Sequence, residues 1–293
     1  MGASDLFRAW DLHVTAARDD WETAVGRLIE CSNALTAHYY PTSGGDYLTV
    51  IGSAAKSTSI RPMGDADGVF RMPAGTYGRF DDYAGNGQSA LLQEVRSVLA
   101  NRHPRTTIRG DGPVVVVEFV SGPNVEVVPG VLASDGADDF HVDCLVPVTR
   151  DGGSWQSANY GAEYDKAITV HASTHGQSSR LVRYVKAWRR AQYATMKSIV
   201  IELMVLDFMQ TWSRDRTSHV YDDWLVRDFL GYMIDHYYTT YALPSGKPID
   251  TGVGWYEAAK RSRQDAIAAC DDGDTGSQYV ACWRKVFGSA FGS

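Results

Sequence analysis

The stretch from Tyr47 to Phe70 narrows the fold more than any other. Tyr47-Leu48-Thr49-Val50-Ile51 is β-branched and apolar and reads as a strand. Gly52-Ser53 follows at once, a pair that lets the backbone turn sharply and open a short helix whose free amides can seat a phosphate. Asp65 and Asp67 then stand two apart in a run that continues into Val69-Phe70, so as strand residues they project to one side and can share a divalent metal. Magnesium takes such oxygen ligands and leaves room for substrate phosphates.

The rest of the chain bounds what that unit can belong to. With 293 residues it forms one large domain or two intimately packed lobes, and 44% hydrophobic with 22% charged residues is the composition of a globular protein. A net charge of −7 argues against bulk electrostatic binding of nucleic acid, which needs a clear excess of Lys and Arg. Cys31, Cys144, Cys270 and Cys282 are scattered without metal-knuckle spacing and read as cytosolic thiols. The start lacks a basic-then-apolar signal pattern, and the longest apolar run, Ile199 to Met209, is interrupted by Glu202 and Asp207. A cytoplasmic protein with no membrane contact is the expectation.

In chain order, Ser4 or Asp5 caps one long helix through Leu6, Leu12, Val14, Trp21, Val25, Leu28, Ile29 and Leu35. Residues 74–87 read as a loop and Gln88 to Arg102 as a helix. Three strands follow, Thr106 to Arg109, Val114 to Val120 and Val125 to Val128, the last two joined at Ser121-Gly122-Pro123-Asn124. A hairpin closed there sets Phe119 opposite Glu126 and Glu118 opposite Val127, so the two glutamates face opposite sides and one alone can join the aspartates. Phe140 to Val148 reads as a further strand. From Lys166 through Ile201 there is no Asp or Glu, yet Lys166, Arg180, Arg183, Lys186, Arg189, Arg190 and Lys197 occur, a bias that asks for a polyanion. Helices are expected over Arg180 to Gln192, Tyr221 to Tyr238 and Trp255 to Cys270, with their aromatics in the core. His171 and His175 lie in a poor helix interior and read as ordinary histidines, and Asp271-Asp272-Gly273-Asp274 lacks the glutamate of a calcium loop.

Taken together, Gly52-Ser53, Lys56, Thr58 and the Asp65-x-Asp67 strand resemble the polymerase-β-like nucleotidyltransferases and, more narrowly, the bacterial relatives of cyclic GMP-AMP synthase, the CD-NTases. Within that resemblance Val125-Glu126-Val127-Val128-Pro129 matches the third-carboxylate triplet, with glutamate where aspartate is usual, and so selects Glu126 over Glu118. Leu181 to Trp188 resembles the helix whose lysine, here Lys186, reaches the nucleotide triphosphate, and Met196 to Glu202 the next helix start, where Ser198 touches the same phosphates.

The resemblance implies an α+β fold: a polymerase-β-like core over 1–165, including the N-terminal helix, packed against a helical nucleotide-binding lobe over 166–293. Asp65, Asp67 and Glu126 would be catalytic and hold two magnesium ions, with manganese as the alternative, while Gly52, Ser53, Lys56, Thr58, Lys186 and Ser198 would bind nucleotide. The activity implied is the joining of nucleoside triphosphates, ATP, GTP or others, into a cyclic di- or trinucleotide second messenger without obligate nucleic acid. The setting implied is bacterial anti-phage (CBASS) signalling alongside proteins of a defence operon. The alternatives are a catalytically inactive nucleotide sensor and a linear oligonucleotide synthetase; retention of all three carboxylates favours the enzyme.

Overall fold

The computed structural model describes residues 2–132, 144–214 and 217–293. Two helices open the chain, α1 (Ala3–Val14) and α2 (Arg18–Tyr39), in place of the one long helix expected. The break has a local cause. Thr15 and Ala17 are extended, the Thr15 hydroxyl donates back to the Asp11 carbonyl at 2.6 Å, and Thr15 forms a β-bridge with Ile60. What looks like one apolar stripe therefore serves two cores, Leu6, Phe7, Trp10 and Val14 in one and Ala24, Leu28, Cys31 and Leu35 in another.

The chain continues through β1 (Leu48–Ile51), α3 (Gly52–Ala55), β2 (Asp65–Arg71), α4 (Thr76–Asp81), α5 (Gly87–Arg102), β3 (Thr107–Asp111), β4 (Val114–Glu118), β5 (Asn124–Leu132), β6 (Cys144–Val148) and β7 (Ser154–Ala158). The short α4 replaces part of the loop expected over 74–87. Phe140 to Asp143, the start of the strand expected to end at Val148, lies outside the described residues. Helices α6 (Tyr160–Ser173), α7 (Gln177–Ala191), α8 (Ser198–Thr211) and α9 (Asp222–Asp235) follow, then the hairpin β8 (Thr240–Ala242) and β9 (Pro248–Asp250), α10 (Tyr256–Asp272) and α11 (Tyr279–Phe287).

Two compact units result. The sheet unit comprises Ala16–Ser57 and Pro62–Asp165, and the helical unit Met1–Thr15, Thr58–Arg61 and Lys166–Ser293. The first fifteen residues thus fall with the helical unit, whereas the sequence reading gave them to the core.

In the sheet unit the described strands run in the order β1-β2-β5-β4-β3, with β6 and β7 continuing from β5; β2 and β5 are parallel and the other neighbours antiparallel. Strand alternation divides the side chains cleanly. Ala66, Phe70, Val115, Val117, Val125 and Val127 join the core built with α2 and α5. Val69, Val114, Val116, Val128 and Ile51 pack in a smaller cluster on the opposite face.

The helical unit is closed by aromatics: Trp188, Trp255, Trp283, Tyr184 and Tyr279 are all fully buried, and the Phe7 ring meets Trp283 edge-on at 5.0 Å. Its acidic loop serves as caps rather than ligands. Asp274 accepts from the Ala3 amide at the start of α1 at 3.3 Å, and Asp272 from the Gln278 amide at the start of α11 at 2.8 Å.

Candidate active site

The register of the parallel pair builds the site. Asp67 stands opposite Glu126 and Asp65 opposite Asn124, so the side chains of Asp65, Asp67 and Glu126 share the face that carries Val69 and Val128. Ile51, the last residue of β1, stands opposite Asp67 on the other side, which brings the Gly52 turn against the same carboxylate. Gly52 adopts φ +64, and a Cβ built there would lie 2.3 Å from Asp67 Oδ2. Glycine is required twice over, for the left-handed backbone and for the approach of the acid. Ser53 follows in the first turn of α3, whose Ala54 carbonyl accepts from Trp21 Nε1 at 3.0 Å. Lys56, at the end of α3, is buried and lines a cavity beside Gly52.

The β4–β5 register corrects the expected hairpin. Val116 pairs with Glu126 and Val117 with Val125, so Glu118 shares the face of Glu126 instead of opposing it. The turn is longer than the Gly-Pro signal implied. Phe119 leaves the strand and donates its amide to the Asn124 side chain at 3.0 Å, while Arg27 binds the Ser121 and Pro123 carbonyls. An odd-numbered shift in pairing moves every side chain of one strand to the other face. Position, not face, separates the two glutamates. Glu118 ends β4 and accepts from Arg109 at 2.9 Å, and Arg109 also pairs with Asp111, whereas Glu126 lies directly beside Asp67.

Electrostatics mark the same place. Burial first, then the charges of Asp67, Asp65 and Asp111, push Glu126 from 4.5 up to about 7, against the lowering pull of Arg109. Three carboxylates that repel one another across an all-oxygen donor set suit a hard divalent cation. Among the described residues, no three acid, histidine or cysteine side chains already converge as a preformed metal cluster.

Other expected residues fall in the helical unit and are engaged there. Lys186, on α7, is 4% exposed and donates from Nζ to the Thr58 carbonyl at 3.0 Å and to Thr58 Oγ1 at 3.3 Å. The Thr58 hydroxyl donates to Glu202 Oε1 at 3.2 Å, and Lys186 Nζ lies 4.0 Å from that carboxylate. Ser198 is exposed at the start of α8, one turn before Glu202, and its Oγ accepts from Arg189 at 3.1 Å. Sequence reasoning registered Glu202 only as an interruption of an apolar run. A buried acid in such a run is itself the signal that a cation must meet it.

The acid-free block also changes meaning. Arg180 pairs with Asp222, Arg183 with Asp11, Arg190 with the Arg61 carbonyl and Arg189 with the Met196 carbonyl. These cations meet acceptors supplied largely from elsewhere in the chain, so the local bias does not by itself leave a surface for a polyanion. His171 Nδ1 lies 2.6 Å from Ser178 Oγ, and His175 sits in the following turn at φ +50, consistent with ordinary histidines.

Comparison with known proteins bears on the whole arrangement. The Second Messenger Oligonucleotide or Dinucleotide Synthetase (SMODS) domain matches residues 1–170. A probable cyclic nucleotide synthase of Bacillus cereus is 21% identical over 287 residues, spanning 85% of this chain and 83% of that protein. The E. coli MS115-1 CdnC structure, solved in complex with HORMA-deltaN, superposes with a TM-score of 0.72 at 18% identity, covering 100% of this chain and 99% of CdnC. Vibrio cholerae DncV cyclic AMP-GMP synthase, solved with the linear intermediate 5′-pppA(3′,5′)pG, gives a TM-score of 0.68 at 14% identity, covering 98% of this chain and 88% of DncV. The chain shares its fold with these two proteins.

Proposed function

Because this chain belongs to the Second Messenger Oligonucleotide or Dinucleotide Synthetase family, the CD-NTases, we propose that it joins nucleoside triphosphates into a cyclic di- or trinucleotide, releasing pyrophosphate. The observation that carries the reading is the register of Asp67 with Glu126 beside the Gly52 turn. That register supports the reading, because Asp65, Asp67 and Glu126 share one sheet face beside the glycine turn that would seat phosphate.

Asp65, Asp67 and Glu126 would hold magnesium, with manganese as the alternative, and the metal when bound supplies activation of the acceptor ribose hydroxyl and charge neutralisation at the α-phosphate. The amides after Gly52 and the Ser53 hydroxyl hold the donor triphosphate in line with the attacking oxygen. Glu126, directly beside Asp67 in the strand register, is the group placed to accept the hydroxyl proton. The hydroxyl oxygen bonds to the α-phosphorus as the bond to pyrophosphate breaks, and a second such attack within the bound linear product closes the ring. Lys186 and Ser198 are the proposed triphosphate contacts of the helical unit; Lys186 would exchange its Thr58 acceptors for phosphate oxygens.

The enzyme is expected to work in the cytoplasm and without added DNA or RNA, and no described helix is long and apolar enough to cross a membrane. We place it in anti-phage (CBASS) signalling, as the family resemblance implies, and the solved complex of CdnC with HORMA-deltaN supports a protein partner. Incubation with four nucleoside triphosphates and magnesium or manganese, then phosphatase treatment and mass spectrometry, tests the reading. It should yield a phosphatase-resistant species of two or three nucleotides. Long phosphatase-sensitive chains would make it a linear synthetase. Tight nucleotide binding with no turnover under either metal would make it a sensor.

A further inference from the structure

Apart from Gly52 and Lys56, the cavity beside Gly52 has a lining that the transfer chemistry does not use. It measures about 470 Å³, lies within the sheet unit, and is bounded by β1, α3 and the first turn of α6. Nucleotide-sized ligands occupy pockets of this scale. Ile51 and Ala55 supply aliphatic surface, and Tyr160 and Tyr164, four apart and so on one face of α6, supply aromatic surface. Lys56 and Glu163 bring one charge of each sign to the same space. The helix start that presents Glu163 is fixed by Asn159, whose Oδ1 accepts from the Ala162 amide at 2.8 Å and whose carbonyl accepts from the Glu163 amide at 3.1 Å.

Two links join this cavity to the carboxylates. Gly52 lines it and touches Asp67. The Tyr160 phenol is held above its ordinary pKa by burial first and then by the charges of Cys144, Glu163 and Asp67, so Glu163 and Asp67 both act on that ring. Tyr164, by contrast, is 41% exposed and leaves ring surface to be covered.

A cavity with aromatic and aliphatic surface accepts a flat ring, and stacking alone does not choose among bases, since each has a π-face. The charges do choose. Guanine aligns two donors, N1–H and N2–H, beside the O6 acceptor. A carboxylate accepts both N–H groups in parallel while an ammonium donates to O6. Adenine turns the N1 lone pair toward the carboxylate and loses that pairing. We propose that this cavity is a base pocket selecting guanine, with Glu163 on the N1–H and N2–H edge, Lys56 toward O6 and Tyr164 stacked on the ring.

The inference rests on the nucleotidyltransferase reading for its ligand class, and its test separates the two. Binding would be measured by calorimetry with the α,β-methylene analogues of GTP, ITP and ATP, which cannot be transferred, on the full chain with magnesium. The expected order is GTP tightest, ITP intermediate for want of the N2 amine, and ATP weakest, by about tenfold to a hundredfold overall. Glu163→Gln should erase most of the GTP preference, and Tyr164→Ala should weaken all three analogues alike. Equal or tighter ATP binding by the parent protein, or an unchanged GTP-to-ATP ratio in Glu163→Gln, overturns the guanine pocket. A GTP preference that depends on Glu163, in a protein that consumes no triphosphate under any metal, overturns the synthetase reading and leaves the pocket standing. A cyclic product without guanine, with no binding preference, does the reverse.

Discussion

The two units treat their charges in opposite ways. On the sheet face Asp65, Asp67 and Glu126 are set beside one another, and Glu126 carries the cost as a proton held up to about pH 7. In the helical unit three cations are matched, Arg180 with Asp222, Arg183 with Asp11 and Lys186 within 4.0 Å of Glu202, while burial still holds Asp223 above the usual carboxylate range. A fold gains stability from matching and loses it from like-charge crowding. The contrast therefore separates a face where acids are left crowded from a helix pair whose cations hold the fold. It also teaches that a run of cations in sequence is not yet a binding surface, because acceptors can arrive from anywhere in the chain.

The sharpest way to break this contrast is to neutralise the sheet face. Asp65→Asn with Asp67→Asn should abolish nucleotide incorporation, by about 10³-fold or more, while thermal unfolding stays unchanged or rises, since repulsion is relieved. Full activity in a normally folded double variant would remove the site. A smaller effect separates the glutamates: Glu126→Gln should lower turnover by about 10²–10³-fold, and Glu118→Gln, which loses an exposed pairing with Arg109, by less than tenfold. The opposite ranking in a labelled-nucleotide assay would mean that Glu118 is the third acid.

In the helical unit the readout moves from turnover to stability. Lys186→Met leaves the Glu202 carboxylate buried beside Thr58 and should destabilise by about 3–5 kcal/mol in denaturant unfolding. Lys186→Met with Glu202→Met should restore most of that loss. Triphosphate affinity measured in the stable double variant then reports whether Lys186 also binds phosphate, as proposed. The smallest expected effect is on pH. With chelator present, the raised Glu126 binds its proton more tightly in the native than in the unfolded state between about pH 4.5 and 7, so its contribution to stability is fully present below 4.5 and is lost as pH rises through 7. Because the side chain is only half-buried, that loss is about 1–2 kcal/mol after screening. Glu126→Gln should flatten this part of the stability–pH curve, and an unchanged curve would mean that the carboxylates do not repel as the register implies.

Much of the sheet unit is legible before folding. The strand, the glycine turn and the Asp-x-Asp strand are contiguous in sequence, and their geometry follows from period-two alternation and one left-handed residue. The facing of Glu118 and Glu126 is not legible, because it hangs on how many residues the turn takes up. Arg27, from a helix far earlier in the chain, and the Asn124 side chain decide that number. The single N-terminal helix fails for a similar reason, since Thr15 leaves the helix to pair with Ile60.

The sequence by itself determined the chemistry on offer: a glycine turn at a helix start, acids spaced to share a strand face, a glutamate before Val127-Val128-Pro129, and a net charge of −7. Only the tertiary structure decided which acid lies beside Asp67, that Lys186 is buried against Thr58 and Glu202, and that Tyr160, Glu163 and Tyr164 close a cavity with Lys56. Local spacing sets which face of an element a side chain takes, whereas its partners come from strand register and long-range packing, which depend on contacts tens to hundreds of residues apart.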